Sequence, residues 1–322
     1  MIVSEFTLIH RYFATQSQHR SDVILGIGDD CALLQVPSGE SLAATVDMLV
    51  AGTHFLPDAD PEGVGHKALA VNLSDLAAMG ALPAWATLAL SLPAADEDWL
   101  AGFCRGLFQL ARRFQVQLVG GDMTRGPLTI SIQAHGFVPT DKALRRDRAC
   151  PGDILCVTGT LGDAGLALAA ATGKITVSAR YQRYLQTRLE RPLPRIAQGL
   201  ALRGLASAAI DISDGLAQDV GHILERSQVG ACLNVDRLPR SAALADCLDT
   251  DEAIQLSLSS GDDYELCFTV PLQHLTQVRK LAADWDCRYT EIGIIESELG
   301  LRCQRENNTP FPMQKLGHDH FS

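Results

Sequence analysis

TDKALRRDRACPGD, residues 140–153, is polar and basic and breaks at Pro151-Gly152-Asp153. It separates the strand pattern LTISIQAHGFV (128–138) from ILCVTGTLGDAGLALAAATG (154–173), which reads as strand, Gly-rich loop and helix. This is the junction of two domains, placed at residues 1–139 and 149–322, a division that suits a chain of 322 residues. Before it, residues 4–14 predict a short helix with Phe6, Ile9, Tyr12 and Phe13 on one stripe. VILGIGDDCALLQV (23–36) predicts two strands around a Gly-Asp-Asp turn, and LAATVDMLV (42–50) a further strand. Helices follow over 62–80 and 97–114, the strand WATLALSL (85–92) lies between them, and VQLVGGDMT (116–124) reads as strand then turn. After the junction, residues 175–195 read as helix and AAIDISDGL (208–216) passes from strand to helix. IQLSLSSGDDYELCFTV (254–270) reads as a strand pair around a turn, LTQVRKLAADW (275–285) as a helix, and 286–322 as a strand or two with a polar tail. Mixed elements without a long βαβ series give an α+β class in each half.

Composition narrows the function. The excess of 38 acidic over 27 basic residues, a net charge of −11, argues against general affinity for nucleic acid or an anionic membrane. It leaves room for an anionic small substrate, because a bound cation reverses the local sign. Nine cysteines, an odd number with no C-x-x-C pair, read as reduced thiols in a cytoplasmic protein. Neither a secretion signal nor a membrane-spanning run is expected.

The chemistry concentrates in aspartates where apolar segments end or turn: Asp29, Asp30, Asp47, Asp75, Asp122, Asp211, Asp214, Asp262 and Asp263. Gathered carboxylates repel unless a hard cation holds them, and Mg2+ takes one or two carboxylates plus phosphate oxygens. Asp75 sits mid-helix in AVNLSDLAAMG with apolar neighbours, and Asn72 one turn earlier could orient it; the plainer alternative is a helix-surface acid. Gly120-Gly121-Asp122 offers backbone donors and an acid, or simply a turn. Arg125 and Arg146 are phosphate-fork candidates or surface arginines. Ser213 or Asp214 could cap the following helix, but capping does not account for Asp211 as well. His54 reads as a loop residue within reach of a substrate phosphate. The common nucleotide loops are absent: GIGDDC has Cys31 where the dinucleotide fingerprint needs its third glycine, and ATGKIT has Leu168 where a Walker loop needs its first. A nucleotide here must be held largely through metal ions.

GIGDDCALL (26–34), TVDMLVAGTHF (45–55), KALAVNLSDLAAMGA (67–81), GGDMTRGPL (120–128), PGDILCVTGTLGDAG (151–165), AIDISDG (209–215) and SGDDYELCFTV (260–270) together resemble the thiamine-monophosphate kinases. Their superfamily includes aminoimidazole ribonucleotide synthetase and selenophosphate synthetase. The resemblance implies a two-domain aminoimidazole ribonucleotide synthetase-like fold. Its N-terminal strands would form a barrel across a homodimer, and its C-terminal domain an α/β sandwich. It implies transfer of the γ-phosphoryl of ATP to thiamine monophosphate, giving thiamine diphosphate, with several Mg2+ ions. Asp30, Thr45, Val46 through its carbonyl, Asp47, Asp75, Asp122, Asp211 and Asp214 would then hold metal. Gly121, Asp122, Arg146 and Ser213 would contact ATP, and His54, Asp262 and His318 the thiamine phosphate. Three positions depart from the family pattern: Thr45-Val46 replaces Ser-Thr, Asp262 replaces glutamate, and His318 stands where an aromatic such as Tyr or Trp is usual.

Transfer would be in line, with no covalent or general-base residue, because the accepting phosphate oxygen is already an anion. A selenophosphate synthetase would carry a reactive Cys with Lys near the N-terminus, and residues 1–22 have neither. A carbamoyl-dehydrating relative would end in cysteine, whereas this chain ends HDHFS. SGDDYELCF favours the thiamine enzyme over aminoimidazole ribonucleotide synthesis, and the intact acids argue against a silent regulatory module.

Overall fold

The structure, a computed structural model, describes residues 5–318, apart from the side chains of Glu5 and Phe6. It comprises two compact units. One comprises residues up to Leu76 with Ala81–Asp141, and the other Ala77–Gly80 with the chain from Lys142 onward.

In the first unit, α1 (Glu5–Leu8) runs into a π-helical turn at Ile9–Ala14. Ser4 and the Phe6 side chain of the predicted helix lie outside the described residues. The hairpin β1 (Val23–Leu25) and β2 (Leu33–Leu34) packs through Val23, Ala32 and Leu34 on Trp85, Val119 and Phe137. The indole N–H of Trp85 also donates to Asp22 at 2.9 Å. β3 (Glu40–Val50), α2 (Pro61–Ala78), β4 (Leu82–Leu92), α3 (Glu97–Arg113), β5 (Gln117–Arg125) and β6 (Thr129–Pro139) complete the unit. The sheet order is β3-β6-β4-β5, antiparallel except for the parallel β4–β5 pair. β5 continues straight through Gly120-Gly121-Asp122, so the predicted turn there is a strand. Edge pairing with β4 explains this: a Cβ on Gly121 would lie 1.9 Å from the Leu88 carbonyl oxygen, so glycine lets the two backbones approach. α2 and α3 meet through glycine in the same way. A Cβ on Gly106 would stand 1.8 Å from the Glu62 carbonyl oxygen, and one on Gly65 2.0 Å from that of Phe103.

The second unit contains β7 (Ile154–Thr158), α4 (Asp163–Ala171), α5 (Ala179–Glu190), α6 (Ile196–Leu202), β8 (Ala208–Asp211), α7 (Leu216–Ser227) and β9 (Gly230–Asn234). A 3-10 turn at Val235–Arg237 leads to α8 (Ala242–Cys247), α9 (Thr250–Ser259), β10 (Leu266–Val270), α10 (Leu272–Ala282), β11 (Tyr289–Glu296) and β12 (Gly300–Gln304). Its six strands run β12-β9-β11-β7-β10-β8, with only β12–β9 parallel. The core gathers Leu155, Ile210, Val220, Ile223, Leu233, Ile254 and Ile292 between sheet and helices. The predicted strand at 254–259 is a helix. Asp249 and Glu252 form a capping box at its start, and Ala253, Ile254, Ser257 and Leu258 bury one face. Both units mix helices with largely antiparallel sheets, the α+β class. All nine cysteines are free. Among the described residues, no helix is long and apolar enough to cross a membrane.

Candidate functional site

In the first unit, strand alternation sets the chemistry. Along β3, Val46 and Met48 are exposed while Thr45 and Asp47 point towards α2. The Thr45 hydroxyl donates to the Asp75 carboxylate on that helix. Asn72 does not serve Asp75 as expected. It is fully buried, its Oδ1 accepts from the Asp47 backbone N–H at 3.2 Å and its Nδ2 donates to the Ala68 carbonyl at 3.1 Å, so it pins β3 to α2 at Asp47. Burial and then the charge of Asp75 push the Asp47 carboxyl up to about 7, and no cationic side chain counters them. Two acids thus stand close enough for the charge of one to disfavour ionisation of the other.

The other first-unit candidates stand around this pair at varying distance. His54 lies in the turn after β3, where its Nδ1 accepts from the Val50 N–H at 3.0 Å and its carbonyl accepts from Lys67 Nζ at 3.4 Å. Asp30 is exposed between β1 and β2, its N–H bonded to the Asp29 carboxylate. Gly121 shares the cross-sheet row of Asp47, Ile132 and Leu88. Asp122 occupies the next row, with Met48, Ser131 and Ala89, where the exposed members mark the sheet's outer face. Within one chain, three strand spacings of about 4.8 Å separate Asp122 from β3, and it faces away from the Asp47–Asp75 pair.

In the second unit two loops zip together. The Asp262 N–H donates to the Ser213 carbonyl at 2.9 Å, the Tyr264 N–H to Ile212 at 2.8 Å, and the Ile212 N–H to Glu265 at 2.8 Å. Asp262 and Tyr264 accept left-handed backbone, φ 67° and 48°, to make this fit. The chain end joins them: the His318 N–H donates to the Asp214 carbonyl at 3.0 Å, and Gln218 Nε2 bridges the Asp214 carboxylate and the His318 carbonyl at 3.2 and 2.9 Å. Asp211 is buried at the end of β8. Ser213, Asp214, Asp262 and His318 are therefore brought together beside it.

Asp219 organises this junction. One of its carboxylate oxygens accepts the N–H groups of Ser213, Asp214 and Gly215 at 3.1, 3.2 and 3.1 Å. Burial, then the charge of Asp214, raises its carboxyl to about 7, while those N–H groups and the charge of Arg146 pull the other way. Arg146 itself is exposed but within electrostatic reach of this carboxylate.

Two family models match the chain: AIR synthase related protein, N-terminal domain, over residues 28–138, and the corresponding C-terminal domain over residues 150–305. The thiamine-monophosphate kinase of Salmonella typhimurium is 48% identical over 324 residues, covering 100% of this chain and 99% of that protein. The chain belongs to the thiamine-monophosphate kinase family. Among solved structures, the thiamine-monophosphate kinase of Stenotrophomonas maltophilia superposes with a TM-score of 0.88 at 46% identity, covering 97% of this chain and 99% of that one. AaThiL complexed with AMPPCP and TMP superposes at 0.77 with 31% identity, covering 98% and 97%. Like the other thiamine-monophosphate kinases, the chain is an enzyme of the phosphotransferase class.

The donor set fits the metal such a kinase implies. Among the described residues, no three His, Cys, Asp or Glu side chains form a group able to hold an ion unaided. Mg2+ does not require one, since it keeps several waters and takes one or two carboxylates with substrate phosphate oxygens. The oxygens of Thr45, Asp47 and Asp75 are hard donors, and the charge strain on Asp47 is the kind a cation relieves. Asp219 and Gln218 went unforeseen in the sequence. Each reads there as an ordinary first-turn helix residue; only the folded loop at Gly215, φ 128°, aims its N–H groups at Asp219 and brings the Asp214 carboxylate and the His318 carbonyl to the Gln218 amide.

Proposed function

We propose that this enzyme transfers the γ-phosphoryl group of ATP to the phosphate of thiamine monophosphate, releasing ADP and thiamine diphosphate. The observation that carries this reading is the half-buried Asp47–Asp75 pair, in which burial and the charge of Asp75 push the Asp47 carboxyl up to about 7. Whole-length likeness to thiamine-monophosphate kinases, and to a relative solved with AMPPCP and TMP, supports it.

The bond between the γ-phosphorus and the β–γ bridging oxygen breaks, and a bond from that phosphorus to an oxygen of the substrate phosphate forms. The oxygen is already anionic, so no side chain need remove a proton and none becomes phosphorylated. The obstacle is repulsion between phosphates. Mg2+, when bound, would offset their negative charge. Several such ions are proposed: Asp30, Thr45, the Val46 carbonyl, Asp47, Asp75 and Asp122 would serve as ligands in the first unit, and Asp211 and Asp214 in the second. Gly121 offers backbone without side-chain obstruction, Arg146 a guanidinium fork, and Ser213 a hydroxyl for ATP. His54, Asp262 and His318 are assigned to the thiamine phosphate. Asp219 keeps Ser213 and Asp214 in place by holding their N–H groups.

A homodimer is part of the proposal. β3 is an eleven-residue edge strand that exposes Leu42, Val46 and Met48. A long apolar edge of this kind calls for a partner strand, which a second copy would supply.

The test is ADP release with purified enzyme and Asp75→Asn. Removing one of two strained acids should leave the fold intact, read by circular dichroism, yet reduce turnover at least 100-fold. Near-normal turnover in that variant would remove the metal assignment.

A further inference from the structure

Apart from the carboxylate loops, the second unit holds a cavity of about 560 Å3. The Val235–Arg237 turn, the loop into α8, the first turns of α9 and the start of β11 enclose it. Its charged lining is Arg237, Arg240, Arg288, Asp236 and Glu291. Both acids are engaged by arginines that do not line it. Arg279 grips Glu291 through two bonds of 2.6 and 2.8 Å, and Arg305 holds Asp236 at 3.1 Å while also pairing with Asp251. Among the described residues no ion pair engages the three lining arginines; Arg240 reaches only the Thr250 carbonyl, at 3.5 Å. On a chain of net charge −11, this wall carries three arginines against two acids, an excess of positive charge that the pull of Arg237 on Glu291 offsets only in part. Thr290 adds a buried hydroxyl with no partner, and Leu238, Leu248 and Ala253 supply an apolar side.

We propose that this cavity is a second anion site, which binds an organic diphosphate. Three guanidinium forks match the roughly three negative charges of a diphosphate better than those of a lone phosphate, and each fork can bind oxygens in pairs. The volume falls in the range of small-molecule pockets, roughly 300–1,000 Å3. It therefore leaves room beside the apolar wall for an organic group. The cavity is distinct from the Asp211 loop. Thr290 lies in one cross-sheet row with Val157, Cys267 and Ile210, so three strand spacings, about 14 Å, separate it from β8. ADP and thiamine diphosphate both belong to the ligand class; that the ligand is one of them rests on the proposed kinase reaction, whereas the anion site does not.

Isothermal titration of the whole enzyme with ADP, thiamine diphosphate and inorganic pyrophosphate, each in excess EDTA, tests the site without Mg2+ at the carboxylates. At least one organic diphosphate should bind the native enzyme. The double variant Arg237→Gln/Arg288→Gln should weaken that binding at least tenfold while kinase turnover stays within about twofold. Each single variant should lose at least threefold, which keeps the test open if the double variant unfolds. Whichever ester binds identifies the source. Absence of binding, binding of pyrophosphate alone, or equal affinity in folded variants would overturn the proposal, whatever the outcome of the kinase assay.

Discussion

At the residue scale, a buried ionic cluster behind Asp262 shows how charge is balanced in the second unit. Glu265 takes two bonds of 2.6 Å from Arg195 and one of 3.1 Å from Arg188, and Thr158 adds a hydroxyl at 2.8 Å. Asp163 is satisfied by Thr160, Tyr184 and Ser241 at 2.5, 2.6 and 2.5 Å. Two arginines thus meet two carboxylates. The third acid, Asp263, is fully buried, and burial lifts its carboxyl to about 8 despite the lowering by Arg188 and the Gly162 N–H. An acid whose folded pKa is raised contributes stability that is fully present below its unfolded value, about 4. That contribution is lost as pH climbs through the folded value. The native enzyme should therefore lose stability relative to Asp263→Asn between pH 4 and about 8. Urea midpoints of the two proteins at several pH values in that window check this; parallel curves would contradict it.

At the element scale, packing without side chains governs the helix pair that carries Asp75. Gly106→Ala would set a methyl 1.8 Å from the Glu62 carbonyl oxygen, so α2 and α3 would have to separate. Overpacking of this kind costs about 2 kcal/mol or more. Thermal unfolding of the full chain should show a clearly lowered Tm, and an unchanged Tm would refute the close approach. Much at this scale was legible in the sequence: α2, α3, β4 and β6 follow from apolar spacing and their boundary residues. α9 was not, because IQLSLSS alternates with a period of two, although Asp249 and Glu252 upstream announced a helix start. α6, β9 and α8 also escaped notice, being apolar runs of only seven, five and six residues. The acids of the site stood out by residue type and neighbours. The distance between Asp122 and the Asp47–Asp75 pair did not, since it follows from the strand order β3-β6-β4-β5, which no single strand encodes.

At the scale of the whole molecule, the edge strand and the reaction offer separate tests. Val46 is 62% exposed and Met48 57% on β3, so placing a charge there costs the isolated chain little but would be costly in a buried contact between copies. Val46→Lys should shift the mass measured by light scattering from dimer towards monomer while leaving the protein folded, and a native enzyme that is monomeric at micromolar concentration would contradict the dimer. The reaction is tested most directly by ADP release from ATP, with thiamine monophosphate or thiamine as acceptor, in Mg2+ and in EDTA. The account predicts ADP only with thiamine monophosphate and Mg2+ together, and at least 100-fold less from Asp75→Asn. Equal release with thiamine, or release that persists in EDTA, would contradict it.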